Sequence, residues 1–343
     1  MSVSERMRKL LVLALILLLC FSSVAFAQGK GKERRVGPVG RPVIWKNPVN
    51  IRLRDLFLGP GGREMLPDTS TFTFIKEEKG GYSPKYRVRD GRGREWVAKL
   101  GKEAQSETAA VRLLWAIGYP TEINYLVPCA HITGAPKPRK KVERCEGQGF
   151  RNVRFEARPD SVERTTQWKW KRNPFVGRRE LQGLIVMMGL INNWDIKDSN
   201  NIILYVPGGS DRSAVAESQY VISDLGATFG KTGNLPLLWR ITRSRNNPKD
   251  YAKARFVDKV KGTRVAFRYG GKNRGLFKEI TVADAKWIGE LLSRLSDRQL
   301  EDAFRAANYL PGEVAMLSQA VRRRINELVN LPEPGIARND YGK

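Results

Sequence analysis

The sequence predicts an α+β fold of two lobes, a small lobe with an antiparallel sheet and one helix, and a larger, mainly helical lobe. Three observations support this prediction. Residues 71–100 contain three short strand-like stretches separated by turns. An apolar helix at 181–191 precedes two short apolar strands at 201–206 and 220–223. Apolar residues then recur at helical spacing between 281 and 328, where three helices are expected.

These elements divide the chain into five segments. The small lobe is expected at 69–157 and the larger lobe at 158–330. Residues 28–68 are basic and rich in glycine and proline, so they are interpreted as a linker, in which 43–58 could pack on the small lobe. Residues 1–27 are predicted to form a signal peptide, and residues 331–343 are predicted to form a tail.

The amino-terminal segment predicts export. Arg6, Arg8 and Lys9 precede an apolar run, Leu10–Phe21, and an Ala-Phe-Ala sequence ends at Ala27. This order is typical of a secretory signal peptide, so cleavage is expected after Ala27. Twelve apolar residues are few for a membrane span. The expected location is therefore the periplasm or the extracellular space, with an uncleaved membrane anchor as the alternative.

Cysteine and histidine usage narrows the class of protein. Without residues 1–27, the remaining cysteines are Cys129 and Cys145. In an exported protein such a pair predicts a disulfide, and two free, buried thiols are the alternative. His131 is the one histidine of the sequence. A Ser-His-Asp triad or a histidine-rich zinc site is therefore not expected.

A buried ion pair is predicted between the third strand and the first helix. Lys99 lies near the end of the strand at 95–100, and a helix is expected at 102–117. On that helix, Glu107 shares one face with Ala104, Val111 and Leu114. A carboxylate within an apolar stripe is unfavourable unless it is paired, and Lys99 is the predicted partner. The alternative places Glu107 at the edge of the stripe, in water.

Two further acidic segments follow in the larger lobe. Residues 195–200 read Asp-Ile-Lys-Asp-Ser-Asn, and residues 221–226 read Val-Ile-Ser-Asp-Leu-Gly. With Lys99 and Glu107, this order resembles the lysine strand, catalytic loop and metal-binding Asp-Phe-Gly segment of the protein-kinase-like superfamily. The resemblance covers about residues 70–230. It implies a two-lobed protein-kinase-like fold.

The resemblance implies roles for four residues of the larger lobe. Asp195 would orient or deprotonate the attacking hydroxyl, and Lys197 would lie near the transferred phosphate. Asn200 and Asp224 would hold Mg²⁺, with Mn²⁺ as an alternative, because hard cations prefer oxygen ligands.

In the small lobe, the resemblance implies that the pair of Lys99 and Glu107 helps to bind ATP. Gly80 and Gly81 form a turn between the first two strands, where backbone N–H groups could approach the phosphates. A plain hairpin turn is the alternative interpretation of these glycines.

Several features depart from ordinary protein kinases. Asn193 and Trp194 stand where a His-Arg pair precedes the catalytic aspartate, and Leu225 follows Asp224 in place of phenylalanine. An Ala-Pro-Glu segment is absent from the sequence after Asp224. The chain is therefore more similar to atypical kinases of the HipA, lipid-kinase-like or secretory-pathway types. Segments 103–108 and 223–230 also resemble those of uncharacterised exported bacterial proteins.

The expected function is an atypical ATP- and Mg²⁺-dependent phosphotransferase that acts outside the cytoplasm on an unidentified hydroxyl acceptor. A catalytically inactive kinase-like module that binds nucleotide or a polyanion in the cell envelope is the alternative. Transfer of AMP on the same scaffold is a third hypothesis. The formal charge of +26 is consistent with an anionic envelope polymer or lipid surface as partner, whereas nucleic acid is not expected. A solvated basic surface without a specific partner is the simplest interpretation of that charge.

Overall fold

The structure, a computed structural model, describes residues 39–208, 215–233 and 242–332 of the chain. These residues belong to one compact unit, Pro38–Lys343. The predicted signal peptide, the first part of the predicted linker and most of the predicted tail lie outside the described residues. Among the described residues, none of the helices has the length and apolar character that a membrane crossing requires.

The small lobe contains a six-stranded sheet covered by one long helix. In chain order the elements are β2 (Phe72–Glu78), β3 (Lys85–Asp90), β4 (Glu95–Lys99), α1 (Glu103–Ala116), β5 (Asn124–Ala130), β6 (Ile132–Thr133) and β7 (Phe150–Ala157). The strands have the spatial order β5-β7-β4-β3-β2-β6, and neighbours are antiparallel except for the parallel pair of β2 and β6. The three strands predicted at 71–100 and the strand expected at 150–156 are present, whereas β5 and β6 are additional.

Strand β4 packs one face in the apolar core of the small lobe and presents Lys99 on the other face. Trp96 and Ala98 are buried in the core of the small lobe, where Phe72 stacks on Phe155 with ring centroids 4.2 Å apart. Because side chains alternate along a strand, Lys99 lies on the opposite face. A short connection after Lys99 leads directly into α1, whose helical span agrees with the predicted 102–117 within one residue at each end.

The larger lobe combines a second sheet with a group of helices. Its strands are β1 (Arg41–Val43), β8 (Glu163–Arg164), β9 (Asn201–Val206), β10 (Glu217–Ile222), β11 (Val257–Lys261) and β12 (Arg264–Phe267). The second sheet has the order β1-β10-β9-β8, and a separate hairpin pairs β11 with β12. The helices are α2 (Arg179–Leu190), α3 (Pro248–Lys253), α4 (Val282–Ser293), α5 (Asp297–Arg305) and α6 (Pro311–Val329).

The two helix starts predicted near the carboxyl end are confirmed. The Thr281 hydroxyl accepts a hydrogen bond from Asp284 N at 3.1 Å, and the Ser296 hydroxyl accepts one from Gln299 N at 3.2 Å. Both starts are complete capping boxes, which satisfy backbone N–H groups that have no partner inside the helix.

The two sheets and the helices packed with them confirm the predicted α+β fold of two lobes.

Residues 39–58, within the segment interpreted as a linker, contribute to the core of the molecule. Ile44, Ile51 and Leu56 are buried in the larger apolar cluster, and β1 pairs in parallel with β10. Trp45 Nε1 donates to Ile117 O at 2.7 Å, at the end of α1. This segment therefore packs on both the sheet of the larger lobe and α1.

The disulfide, one of the two alternatives for the cysteines, is present. Cys129 and Cys145 are bonded, with their Cα atoms 5.8 Å apart. Cys129 lies in β5, and Cys145 precedes β7, so the bond closes the basic loop that contains residues 137–141.

Gly118 ends the turn after α1 with a φ of +100°. Lys46 N donates to Gly118 O at 2.9 Å, and a Cβ added at Gly118 would overlap Lys46 O. Both the positive φ and the close backbone approach therefore require glycine here.

We expect Gly118→Ala to destabilise the protein more than Gly93→Ala. Gly93 has a φ of +80° with nothing within 4 Å of an added Cβ, so its substitution carries only the backbone strain, about 1 kcal/mol. Gly118→Ala adds the overlap with Lys46 O, for a further ~2 kcal/mol. Urea unfolding of both variants measures the difference, and equal losses of stability would contradict this assignment.

Candidate active site

Seven of the eight predicted site residues line one cleft of about 460 Å³ between the lobes. They are Gly80, Gly81, Lys99, Asp195, Lys197, Asn200 and Asp224. Glu107, the eighth, lies behind Lys99 and is 1 % exposed. Residues that are more than a hundred positions apart in the sequence therefore meet in one cavity.

Lys99 is at the centre of this arrangement. Its Nζ lies 2.7 Å from Glu107 Oε2, 3.2 Å from Glu103 Oε2 and 3.3 Å from Asp224 Oδ1. Burial alone would lower the pKa of Lys99, but the carboxylates of Glu107, Asp224 and Glu103 raise it above its ordinary value. The side chain is therefore a fixed cation, and the predicted pair with Glu107 is present.

Glu107 connects α1 to both neighbouring elements. Arg154 Nε on β7 lies 3.4 Å from Glu107 Oε2, and Leu225 N donates to Glu107 Oε1 at 3.5 Å. Burial raises the pKa of Glu107, while Arg154 and Lys99 act in the opposite direction. The carboxylate thus depends on these two cations to remain charged.

Asp224 lies just after β10, in a segment that contacts α1. Its Oδ1 accepts a hydrogen bond from Gly226 N at 3.1 Å, and Ser106 on α1 donates to Gly226 O at 3.0 Å. A Cβ on Gly226 would lie 2.6 Å from Glu103 Cβ, so glycine allows the close approach. Burial alone would raise the pKa of Asp224, but Lys99 and the Gly226 N–H lower it below its usual range.

Asp195 lies between two lysines. Lys197 Nζ is 3.1 Å from Asp195 Oδ2, and Lys272 Nζ is 2.7 Å from Asp195 Oδ1. Asn200 Nδ2 donates to Asp195 O at 2.7 Å, and Asp195 N donates to Asn193 Oδ1 at 3.1 Å. The carboxylate is therefore oriented both by its own loop and by Lys272.

A remote segment, residues 269–273, holds the loop around Asp195 in place. Tyr269 donates its hydroxyl to Asn193 O at 2.7 Å, and Lys272 N donates to Trp194 O at 2.9 Å. Asn273 Nδ2 donates to the next part of the loop, at Ile196 O, over 2.7 Å. No sequence pattern indicated this segment, because it lies over 70 positions from the loop.

Asn200 and Asp224 provide the oxygen donors that a divalent cation needs. Asn200 N donates to Lys197 O at 3.0 Å, and Asn200 O accepts from Ser223 N at 2.8 Å, so the loop and the end of β10 are joined. The Asn200 amide nitrogen is engaged with Asp195, which leaves the amide oxygen for a cation. One carboxylate and one amide oxygen facing the same cleft fit Mg²⁺ or Mn²⁺.

The glycine turn is held from outside the sheet. Gly80 and Gly81 have φ values of +106° and +71°, which glycine adopts without strain. Arg139 Nη2 lies 3.1 Å from Gly80 O, 2.9 Å from Gly81 O and 3.0 Å from Ser83 O. Arg139 belongs to the loop closed by the disulfide, so that loop fixes the position of the turn.

A buried charge network extends the site toward the connection between the lobes. Arg154 Nη2 lies 2.5 Å from Glu156 Oε2, Arg158 contacts Glu156, and Arg164 contacts Glu122. Sequence analysis missed this network. The alternation of Arg154 and Glu156 on one strand face was a usable signal for its β7 part.

The pKa values of the two glutamates of the network, Glu122 and Glu156, are shifted in opposite directions. Burial and the neighbouring charge of Glu156 raise the pKa of Glu122 to about 7, although Arg164, Arg158 and Arg154 act in the opposite direction. Burial also acts to raise the pKa of Glu156, but the same arginines, with Arg158 foremost, lower it below its usual range.

We expect Glu122 to make folding stability depend on pH. Since its pKa is higher in the folded protein than the ordinary 4.5, the folded state binds the extra proton, and stability falls as pH rises from 4.5 to about 7. Glu122→Gln should remove this slope, so the difference in unfolding free energy between variant and parent changes by up to about 3 kcal/mol across that range.

Urea unfolding between about pH 5 and pH 8 measures the slope. Glu279→Gln is the matched control, because the Glu279 side chain is 60 % exposed and pairs with Arg264 on the surface. Parallel pH profiles for parent and Glu122→Gln would contradict the assignment.

The order of elements, with Lys99 on a sheet strand, Glu107 on the helix and Asp224 after a hairpin, is that of a kinase-like fold. No family model and no curated protein matches the sequence. Among solved structures, a Helicobacter pylori proinflammatory kinase, CtkA, is similar at a TM-score of 0.40 and 11% identity, covering 75% of this chain and 95% of that one. A Golgi casein kinase with Mn/ADP bound has a TM-score of 0.36 and 9% identity, covering 77% of this chain and 72% of that one. At these TM-scores the likeness carries no information on individual residues, whose roles rest on the cleft geometry.

Proposed function

We propose that this chain is an atypical, metal-dependent phosphotransferase that moves a phosphoryl group from ATP to a hydroxyl acceptor. The observation that carries the proposal is the contact of the buried Lys99 ammonium with both Glu107 and Asp224, in a cleft that also contains Asp195 and Asn200. Phosphoryl transfer depends on positioning and charge neutralisation, and this set of side chains supplies both.

Asp224 and Asn200 would hold the metal ion. A bound Mg²⁺ or Mn²⁺ neutralises charge on the phosphate oxygens and positions them for in-line transfer. The low pKa of Asp224 supports this role, because it keeps the carboxylate ionised throughout the physiological range.

Lys99 would contact the phosphates next to the metal. The ammonium is fixed by three carboxylates and is 2 % exposed, so it has one position and little freedom to move. Gly80 and Gly81 line the same cleft, where a turn without side chains leaves room for phosphate oxygens.

Asp195 would orient the acceptor hydroxyl and accept its proton. Its partner Lys197 has a half-exposed side chain and can turn toward the transferred phosphate without disturbing the core. Lys272, also half-exposed, would keep the Asp195 carboxylate correctly placed until the acceptor binds.

One observation favours the second candidate, a catalytically inactive kinase-like module. Both carboxylate oxygens of Asp195 already contact an ammonium group, so an acceptor hydroxyl would have to share them with Lys197 and Lys272. Such a module would still bind nucleotide or a polyanion in the basic cleft. Turnover by the purified protein distinguishes the two candidates.

We also propose that the protein acts outside the cytoplasm. The signal-like residues 1–27 support this, and so does the Cys129–Cys145 disulfide, because such bonds persist mainly in oxidising compartments. The atypical, exported bacterial subtype and an anionic envelope polymer or lipid surface as partner belong to the same proposal. Its support is the amino-terminal segment together with the formal charge of +26.

We expect Asp224→Ala and Asp195→Ala to affect different steps. Asp224→Ala removes a metal ligand, so Mg²⁺-dependent ATP binding should weaken by about tenfold or more. Asp195→Ala removes the group that receives the proton, so turnover should fall by about 10²- to 10⁴-fold while binding is retained. Calorimetry measures binding, and ADP release measures turnover.

Asp297→Ala serves as the control, since that side chain is 78 % exposed on α5 and pairs with Arg322. Binding of Mg²⁺–ATP without turnover by the parent protein would favour the inactive module. Absence of nucleotide binding with both Mg²⁺ and Mn²⁺ would reject the proposed function.

A further inference from the structure

The cleft is lined by more cationic than acidic side chains, although Glu107 and Glu122, which lie behind the lining, pair with Arg154 and Arg164. Six additional cationic side chains line it, namely Lys79, Lys85, Arg154, Arg158, Arg164 and Arg245. With Lys99 and Lys197 the lining has eight cations and four acidic residues. Apolar contributions from the described residues are limited to Tyr82, Val97 and Ala227. Such a lining favours an oligoanion over a flat, uncharged ring system.

The part of the cleft wall formed by β4 and β7 carries charge next to its apolar residue. Val97 on β4 pairs with Glu156 on β7, so the Glu156 carboxylate lies beside the apolar residue. Glu156 is buried and is held by Arg154 at 2.5 Å and by Arg158. A planar base placed against Val97 would lie beside these buried ion pairs, and breaking them would be strongly unfavourable.

The connection between the lobes offers few backbone groups to the edge of a base. Ala157 N already donates to Ile123 O at 2.9 Å, and Ala157 O accepts from Arg158 Nη1 at 3.2 Å. Pro159 has no N–H to donate. Hydrogen-bonded reading of a base by Ala157 or Pro159 would therefore require rearrangement.

A neighbouring apolar cavity of about 210 Å³ does not remove this obstacle. Its lining includes Ile123, Val162 and Leu204, but Arg158 and Arg164 line both this cavity and the cleft. The two guanidinium groups, paired with Glu156 and Glu122, therefore stand at the boundary between the two spaces. A base that passed from the cleft into the apolar cavity would therefore contact both guanidinium groups.

One buried donor of the cleft lining lacks a partner. The side chain of Arg154 is 3 % exposed, and its Nη1 has no hydrogen-bond partner in the described part of the chain. A buried N–H without a partner is unfavourable, so a shift of the Arg154 side chain that brings Nη1 against an acceptor oxygen of a ligand in the cleft would be stabilising. Phosphate oxygens meet this requirement, and guanidinium groups bind them with two parallel hydrogen bonds.

We propose that the cleft recognises its phosphoryl donor by the phosphate chain and does not read a base, so that inorganic polyphosphate is a donor in addition to nucleoside triphosphates. This inference rests on the proposed phosphoryl transfer and specifies its donor class. The bridging P–O bond to the terminal phosphoryl group breaks, and its electron pair leaves with the shortened chain. The acceptor oxygen forms the new P–O bond, and its proton passes to Asp195.

The test compares donors on the same purified chain by calorimetry with Mg²⁺. Tripolyphosphate, ATP and GTP should bind with dissociation constants within about threefold of one another, whereas adenosine should show no binding. Pyrophosphate should be released from tripolyphosphate, as ADP is from ATP. Since a basic surface also attracts polyanions, binding counts as cleft binding when Asp224→Ala removes its Mg²⁺ dependence.

Arginine variants test the recognition itself. Arg158→Gln, whose native side chain is 21 % exposed, should weaken tripolyphosphate and ATP by the same factor, about tenfold. Arg154→Gln should do the same if thermal unfolding shows that it folds. Arg298→Gln is the matched control, because its 71 % exposed native side chain pairs with Asp302 on α5. An effect of Arg158→Gln on ATP alone would overturn the inference.

The outcomes separate the inference from the proposed function. ATP binding tenfold or more tighter than tripolyphosphate and GTP, with ADP release retained, would overturn the inference and leave the proposed function standing. Failure of every donor to bind with Mg²⁺ and Mn²⁺ would overturn both.

Discussion

The ammonium of Lys99 contacts carboxylates from both lobes, and the rest of the site is arranged around it. It is buried, and its three carboxylate partners come from α1, through Glu103 and Glu107, and from the segment after β10, through Asp224. A buried cation is tolerated only when such partners surround it, and loss of one partner leaves uncompensated charge in the interior. The relative positions of β4, α1 and the Asp224 segment are therefore coupled through one nitrogen atom.

The buried charges around Lys99 also require partners of opposite charge. Glu107 needs Arg154 as a second cation, Arg154 is shared with Glu156, and Glu156 needs Arg158. Each charge is neutralised by a neighbour that itself needs a partner, so the network extends from Asp224 to the connection between the lobes. A cleft built in this way is polar along most of its length. Its ligand is expected to contribute oxygen atoms and negative charge more than apolar surface.

Much of the fold follows from local patterns. The capping boxes at Thr281 and Ser296 and the position of Glu107 on the inner face of α1 involve residues a few positions apart, and the hairpin of β9 and β10 joins neighbouring strands. Chain geometry over such short distances is set by hydrogen bonding and side-chain periodicity, which the sequence displays directly. By contrast, β1 and β5 were not predicted, because β1 is only three residues long and β5 contains Pro128, which is unusual inside a strand.

By itself, the sequence determined the α+β class, the order of the acidic and basic site residues and the pairing of Lys99 with Glu107. Only the tertiary structure decided that Glu103 joins this pair, that Lys272 contacts Asp195 and that Arg139 holds the glycine turn. These contacts join residues from separate elements, or a side chain whose rotamer depends on its surroundings. Their geometry is set when the lobes pack and buried charges must find partners, and local periodicity contains no information about that choice.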